Sequence, residues 1–151
     1  QALDMALGGL GHVWPNPSVG CVIVKDTVVG QGRTQKGGRP HAEIVALAQA
    51  GDQARGATAY VTLEPCCHPG KSGACTEALI TAGVAKVVVA CGDPYPEVNG
   101  RGIARLREAG VEVVDWESGI RNPESGTLVE QARDINKGFF SVVQRGRPWV
   151  T

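Results

Sequence analysis

The sequence has no apolar run approaching the roughly 20 residues that span a bilayer. No charged, apolar, small-residue signal segment opens it either. The expectation is therefore a soluble, unexported protein with the cytoplasm as its compartment. It also lacks an excess of charge: fifteen Lys and Arg balance fifteen Asp and Glu in 151 residues. No global field then favours nucleic acid or an anionic membrane, and neither is expected as a partner. The five cysteines are not an even set, which without a signal segment favours a thiol or metal role over a disulfide framework. Internal repeats, low-complexity tracts and a linker before residue 145 are absent as well. What remains, with 42% apolar residues, is enough for one domain with a continuous core.

Hydrophobic patterning divides the chain into short alternating elements. Ala2 to Leu10 has helical spacing weakened by Gly8 and Gly9. Ser18 to Val24 is rich in β-branched residues, and a second run ending Val28-Val29-Gly30 completes a hairpin pattern. The breaker Gly37-Gly38-Arg39-Pro40 precedes a helix from His41 to Ala50, on which Ile44, Leu47 and Ala48 recur at helical spacing. Ala57 to Leu63 reads as a buried strand running into Glu64-Pro65-Cys66, and a helix from about Cys75 to Ala82 would be capped by Gly83. Lys86 to Cys91 and Val111 to Trp116 are further strands, separated by a helix ending at Ala109-Gly110. Val129 to Phe140 reads as a final helix. Strands alternating with helices after an opening hairpin predict a layered α/β domain with a mixed sheet.

Three features in this pattern carry chemistry: His41-Ala42-Glu43 at a helix start, Pro65-Cys66 at a strand end, and Cys75 at the next helix start. One imidazole and two thiolates leave a fourth position for water, as expected of a catalytic zinc; a structural zinc usually takes four protein ligands. Zinc makes a water acidic enough to act as a nucleophile at neutral pH. Residues two apart in a regular helix point about 200° apart, so His41 and Glu43 share a site only if His41 lies where the chain enters the helix. Glu43 would then take the water's proton and pass it to a ring nitrogen and a departing amine. The helix dipole and the metal would favour Cys66 and Cys75 as thiolates.

Each residue also has an ordinary reading. Glu43 suits any helix's first turn. Cys67 rivals Cys66 as a ligand, although adjacent residues at a strand end usually point opposite ways. Cys21 and Cys91 sit in apolar strand runs and are expected in the core. His68 is expected to shape its loop and His12 to lie on the surface. Trp14, Trp116 and Trp149 are expected to pack rather than stack on bases.

Pro15-Asn16-Pro17-Ser18-Val19-Gly20, His41-Ala42-Glu43, Thr62-Leu63-Glu64-Pro65-Cys66, His68, Gly70-Lys71, Cys75, Asp93-Pro94 and Gly100-Arg101-Gly102 together resemble the riboflavin-biosynthesis deaminase family. Its members are diaminohydroxyphosphoribosylaminopyrimidine deaminases. The resemblance runs from about Leu3 to Phe139, and its most specific feature is the nine-position gap between Cys66 and Cys75. The general zinc-deaminase signature has H-x-E and then P-C-x-x-C.

The resemblance implies a three-layer α/β/α cytidine-deaminase-like domain with a central mixed sheet. It also implies hydrolytic deamination of a phosphoribosylated diaminopyrimidinone with release of ammonia. Zn2+ would sit on His41, Cys66 and Cys75, with Glu43 catalytic. Lys71 falls where the family places a basic residue near the substrate phosphate, with Arg33, Lys36, Arg39 and Arg101 as weaker candidates. Asn16 and Asp93 fall at pocket-lining positions. The family further suggests a homodimer and a fused reductase, so residues 1–145 are expected to form the deaminase domain and residues 146–151 to begin the reductase. The chain departs from the pattern at Thr34, where many members have histidine, and at Tyr95, where asparagine is usual. Two alternatives stay open: a deaminase of another base or nucleoside, and a non-catalytic zinc-stabilised module closed by Cys67 or His68.

Overall fold

A computed structural model describes residues 1–9, 17–66, 74–92, 100–115, 130 and 132–135. Five strands form one sheet: β1 (Gly20–Val24), β2 (Val28–Arg33), β3 (Thr58–Val61), β4 (Lys86–Val89) and β5 (Glu112–Asp115), in the order β2-β1-β3-β4-β5. β1 is antiparallel to both β2 and β3, whereas β3, β4 and β5 run parallel. The sheet is mixed, as the alternation of elements predicts. Among the described residues four bounded α-helices accompany it: α1 (Ala2–Gly8), α2 (Ala42–Ala50), α3 (Cys75–Ala82) and α4 (Arg101–Glu108). Residues 130 and 132–135 are also helical, and the rest of the expected final helix lies outside the described residues.

The register assigns the two faces. Cys21, Val61, Val89 and Asp115 are cross-strand partners, as are Val22, Tyr60, Val88 and Val114. The Cys21 face carries the main core: Ile23, Ala59, Val61, Val87 and Val89 cluster with Ala42 and Ala46 of α2, Leu79 of α3 and Leu106 of α4. α1 takes the opposite face, where a Cβ on Gly20 would meet the Ala2 carbonyl. Helices on both sides of one sheet make the three expected layers.

The second hairpin strand runs three residues past Gly30, which the sequence pattern did not predict. Its glycines are the reason: a Cβ on Gly32 would lie 2.5 Å from the Ala42 carbonyl oxygen and 2.7 Å from the Val45 Cβ. α2 therefore rests almost directly on the β2 backbone, and small residues form its buried stripe, namely Ala42, Ala46 and Ala50. The larger apolar set read from the sequence sits elsewhere, with Ile44 and Leu47 half-buried and Ala48 exposed. Gly32→Ala should destabilise the fold by about 1–3 kcal/mol through overpacking, read as a lower urea midpoint; an unchanged midpoint would show that α2 can move away at no cost.

β1, β3 and β4 are two or three residues shorter than the apolar runs suggest. Beyond Val61 the backbone leaves the ladder but stays tethered, with the Thr62 N–H donating to the Gly20 carbonyl at 3.1 Å and the Glu64 N–H to the Cys91 carbonyl at 3.0 Å. That departure delivers residues 64–66 to the sheet edge where α2 and α3 begin. Cys21 and Cys91 are buried core residues as expected, and the Cys91 thiol donates to the Thr62 carbonyl at 3.3 Å. Among the described residues, no helix is long and apolar enough to cross a membrane.

Candidate metal centre

His41 occupies the N-cap of α2 with extended backbone (φ −69°, ψ 161°) rather than a place within the helix. This meets the geometric condition posed by the two-residue spacing: the imidazole is set by the incoming chain and Glu43 by the first helical turn. Cys75 is the first residue of α3. Cys66 lies in the segment leaving β3, where its carbonyl accepts the Thr76 N–H at 3.1 Å and its Sγ accepts the Cys75 N–H at 3.3 Å. The start of α3 thus contributes both a thiol and a backbone donor to the other thiol. The reading that a helix dipole favours both thiolates agrees with this placement, Cys75 being the first residue of α3 and Cys66 Sγ accepting that residue's N–H.

The donor atoms of His41, Cys66 and Cys75 all lie within 4.8 Å of one another. His41 Nδ1 is 3.3 Å from Cys75 Sγ and 3.7 Å from Cys66 Sγ. Zinc bonds of about 2.3 Å to sulfur and about 2.0–2.1 Å to nitrogen place tetrahedral N···S edges near 3.6 Å. The observed distances bracket that value, and one imidazole with two thiols is a borderline-soft set suited to zinc. The three residues fit the ion.

The charges agree with the geometry. The Cys75 thiol hydrogen bond, reinforced by His41, lowers the Cys66 thiol to about 4. Cys75 moves the opposite way because it is the donor in that bond and is buried. His41 is raised, first by its hydrogen bond to Cys66. Without a metal the hydrogen-bonded thiols therefore favour the charged form on Cys66 over Cys75, and a divalent cation would favour it on both. Glu43 is only 4% exposed, and burial pushes its carboxyl up to about 7. A cavity of about 50 Å³ lies beside these groups, lined by Pro17, Thr34, His41, Glu43, Glu64 and Cys66 among others.

The family described as the cytidine and deoxycytidylate deaminase zinc-binding region matches residues 2–91. The chain belongs to that family. Within this deaminase family it is 48% identical over 151 residues to the riboflavin biosynthesis protein RibD of Escherichia coli (strain K12), covering 99% of this chain and 38% of that protein. It is 46% identical to RibD of Aquifex aeolicus (strain VF5), covering 99% of this chain and 40% of the relative. Among solved structures, Acinetobacter baumannii RibD, form 2, superposes with a TM-score of 0.88 at 49% identity over 99% of this chain and 40% of that one. The Thermotoga maritima diaminohydroxyphosphoribosylaminopyrimidine deaminase/5-amino-6-(5-phosphoribosylamino)uracil reductase superposes with a TM-score of 0.85 at 39% identity, over 98% and 40% of the two chains. The chain thus spans about 40% of the length of these relatives. The fold is the cytidine-deaminase-like α/β fold, and the domain is a zinc-binding deaminase domain.

The structure brings His41, Glu43, Cys66 and Cys75 together. Asn16, Lys71 and Asp93 lie outside the described residues, as do Cys67, His68 and Tyr95. Arg33, Lys36, Arg39 and Arg101 are all exposed, and Arg39 acts on His41 electrostatically. Two further polar residues line the cavity, Thr34, read in the sequence only as a departure from the family pattern, and Glu64, given no role there. Thr34 is buried, accepts the Val19 N–H on Oγ1 at 3.0 Å and returns its own N–H to the Val19 carbonyl at 3.0 Å. For Glu64 the available signal was an acidic residue two positions before a ligand cysteine in an otherwise apolar run.

Proposed function

We propose that this domain hydrolytically deaminates the phosphoribosylated diaminopyrimidinone of riboflavin biosynthesis and releases ammonia. The observation that carries the reading is a three-donor N/S centre beside a buried carboxyl in a cavity of about 50 Å³. The deaminase and reductase named for the Thermotoga maritima protein support the substrate class. His41, Cys66 and Cys75 would hold zinc, which supplies the Lewis acidity that makes water nucleophilic at neutral pH. Glu43 performs two proton transfers: its carboxylate takes one proton from the attacking water and delivers it to the ring nitrogen, then takes the proton of the hydroxyl now on the carbon and delivers it to the departing amine, so that the C–N bond breaks, the carbonyl forms and ammonia leaves. Its position beside the three donors in a buried cavity places the carboxyl where a water held there would give up its proton. Asn16, Lys71 and Asp93 would bind the rest of the substrate, Lys71 at the phosphate.

Ammonia release from the phosphoribosyl diaminopyrimidine, compared with cytidine, guanine and adenosine, tests the assignment. Turnover of the phosphoribosyl compound should exceed that of the others by at least about 100-fold, since a site built for polar groups rejects ligands lacking them. Preference for a free base or nucleoside would transfer the function to the second reading. Thr34 favours that alternative, because it lines the cavity where many members of the riboflavin branch carry histidine.

The share of the relatives that this chain spans supports a reductase fused to the deaminase in the whole protein. A homodimer is what the resemblance to the riboflavin branch implies.

A further inference from the structure

Glu64 is 4% exposed, and no step above uses it. Its carboxyl oxygens accept three backbone N–H groups at the start of α4. Gly100 donates to Oε1 at 3.0 Å, and Gly102 and Ile103 donate to Oε2 at 3.0 and 3.3 Å. The first turn of a helix leaves such groups without intrahelical partners, and an acidic side chain there also meets the positive end of the helix dipole. The cap usually comes from the residue just before the helix. In α4 that residue is Gly100, which has no side chain, and the cap comes from 36 positions earlier. A local cap would stabilise the helix equally well; a distant one also ties two segments together.

The second segment is the one that carries a metal ligand. The Glu64 N–H is held by the Cys91 carbonyl at 3.0 Å, and the Cys66 carbonyl and Sγ are held by the first two N–H groups of α3. A Cβ on Gly102 would collide with the Pro65 carbonyl oxygen, so α4 rests on the backbone of the segment itself. Residues 64–66 are therefore fixed from three sides, by the end of β4, the start of α3 and the start of α4. Of these fixings, the bond from Glu64 to α4 is the one made by a side chain that can be changed without altering a ligand.

We propose that Glu64 is a positioning residue for the metal centre, its carboxyl locking the segment that presents Cys66 against α4. This rests on the reading of His41, Cys66 and Cys75 as a zinc site. Outer partners that orient a ligand typically contribute about 10- to 100-fold in metal affinity.

Zinc affinity measured by competition with a chromophoric chelator, together with melting of the metal-free chain, tests the proposal. Glu64→Gln, which keeps one acceptor oxygen, should weaken zinc binding about 10-fold, and Glu64→Ala about 100-fold. Leu106→Ala is the control: it opens a cavity on the buried side of α4, lowers melting, and should leave zinc affinity at the wild-type value. If Glu64→Ala does not fold, Glu64→Gln decides. Glu64 variants that melt lower yet bind zinc like wild type would reduce Glu64 to a helix cap, and equal weakening by Leu106→Ala would assign the effect to general stability; either overturns the proposal. A wild-type chain that binds no zinc would overturn the metal site itself, a distinct failure.

Discussion

Glu43→Gln should keep the fold and one zinc per chain while ammonia release falls by about 10² to 10⁴-fold, the range contributed by a positioned proton-transfer group. The amide has nearly the volume of the carboxyl but cannot take a proton from water, so binding and packing survive while the transfer fails. Zinc stoichiometry and ammonia release on the same samples check this, and activity within about tenfold of wild type would remove Glu43 from the mechanism. The metal-free chain adds a second readout. The folded carboxyl titrates near 7 against an ordinary 4.5, so the folded state binds that proton more tightly than the unfolded one. Its contribution to stability is full below pH 4.5 and is lost as pH rises through 7. Glu43→Gln escapes that loss, so its melting temperature should gain on wild type across the window. Parallel melting curves would mean that burial does not disfavour the charged form.

His41→Ala and Cys75→Ala should each lose the metal. Two remaining donors cannot hold a tetrahedral zinc site through dialysis, and metal content should fall well below one per chain with ammonia release abolished. Stripping zinc from wild type with a chelator should lower its melting temperature, because a ligand bound only by the folded state stabilises it by mass action. A Cys75→Ala variant that still held one zinc after dialysis would show another donor completing the set. That result would favour the closed, non-catalytic site in which Cys67 or His68 is a ligand.

The two sets of mutations separate roles that the sequence places two residues apart. In the folded chain, His41 belongs to the incoming loop and Glu43 to the first turn of α2, both beside the same cavity. On the proposed mechanism, loss of His41 should remove the ion, whereas loss of the Glu43 carboxyl should leave the ion and remove the proton path.

Much of this was legible in the sequence. Periodicity and breakers identified nearly every described element, because alternating β-branched runs and helical spacing are local properties of the chain. His41, Glu43, Cys66 and Cys75 were identifiable as a group because metal chemistry restricts residue type, and their spacing reflects the elements that carry them. The length of β2 and the buried stripe of α2 were not legible. Glycine in a run predicts a break, yet Gly30 and Gly32 extend β2 because a helix sits on them. Likewise Ile44 and Leu47 outweigh alanine in any hydrophobic pattern, although close approach selects Ala42, Ala46 and Ala50.

The sequence by itself determined the type of fold and a candidate donor set, since both follow from residue chemistry and from patterns local to each element. Only the tertiary structure decided how the donors converge and what holds them. The 3.3 and 3.7 Å approaches of His41 to Cys75 and Cys66 join residues 34 and 25 positions apart. The capping of α4 by Glu64 spans 36 positions. Such contacts depend on which strands pair and on how closely helices lie against them, and no local pattern encodes a distance between segments that meet only after folding.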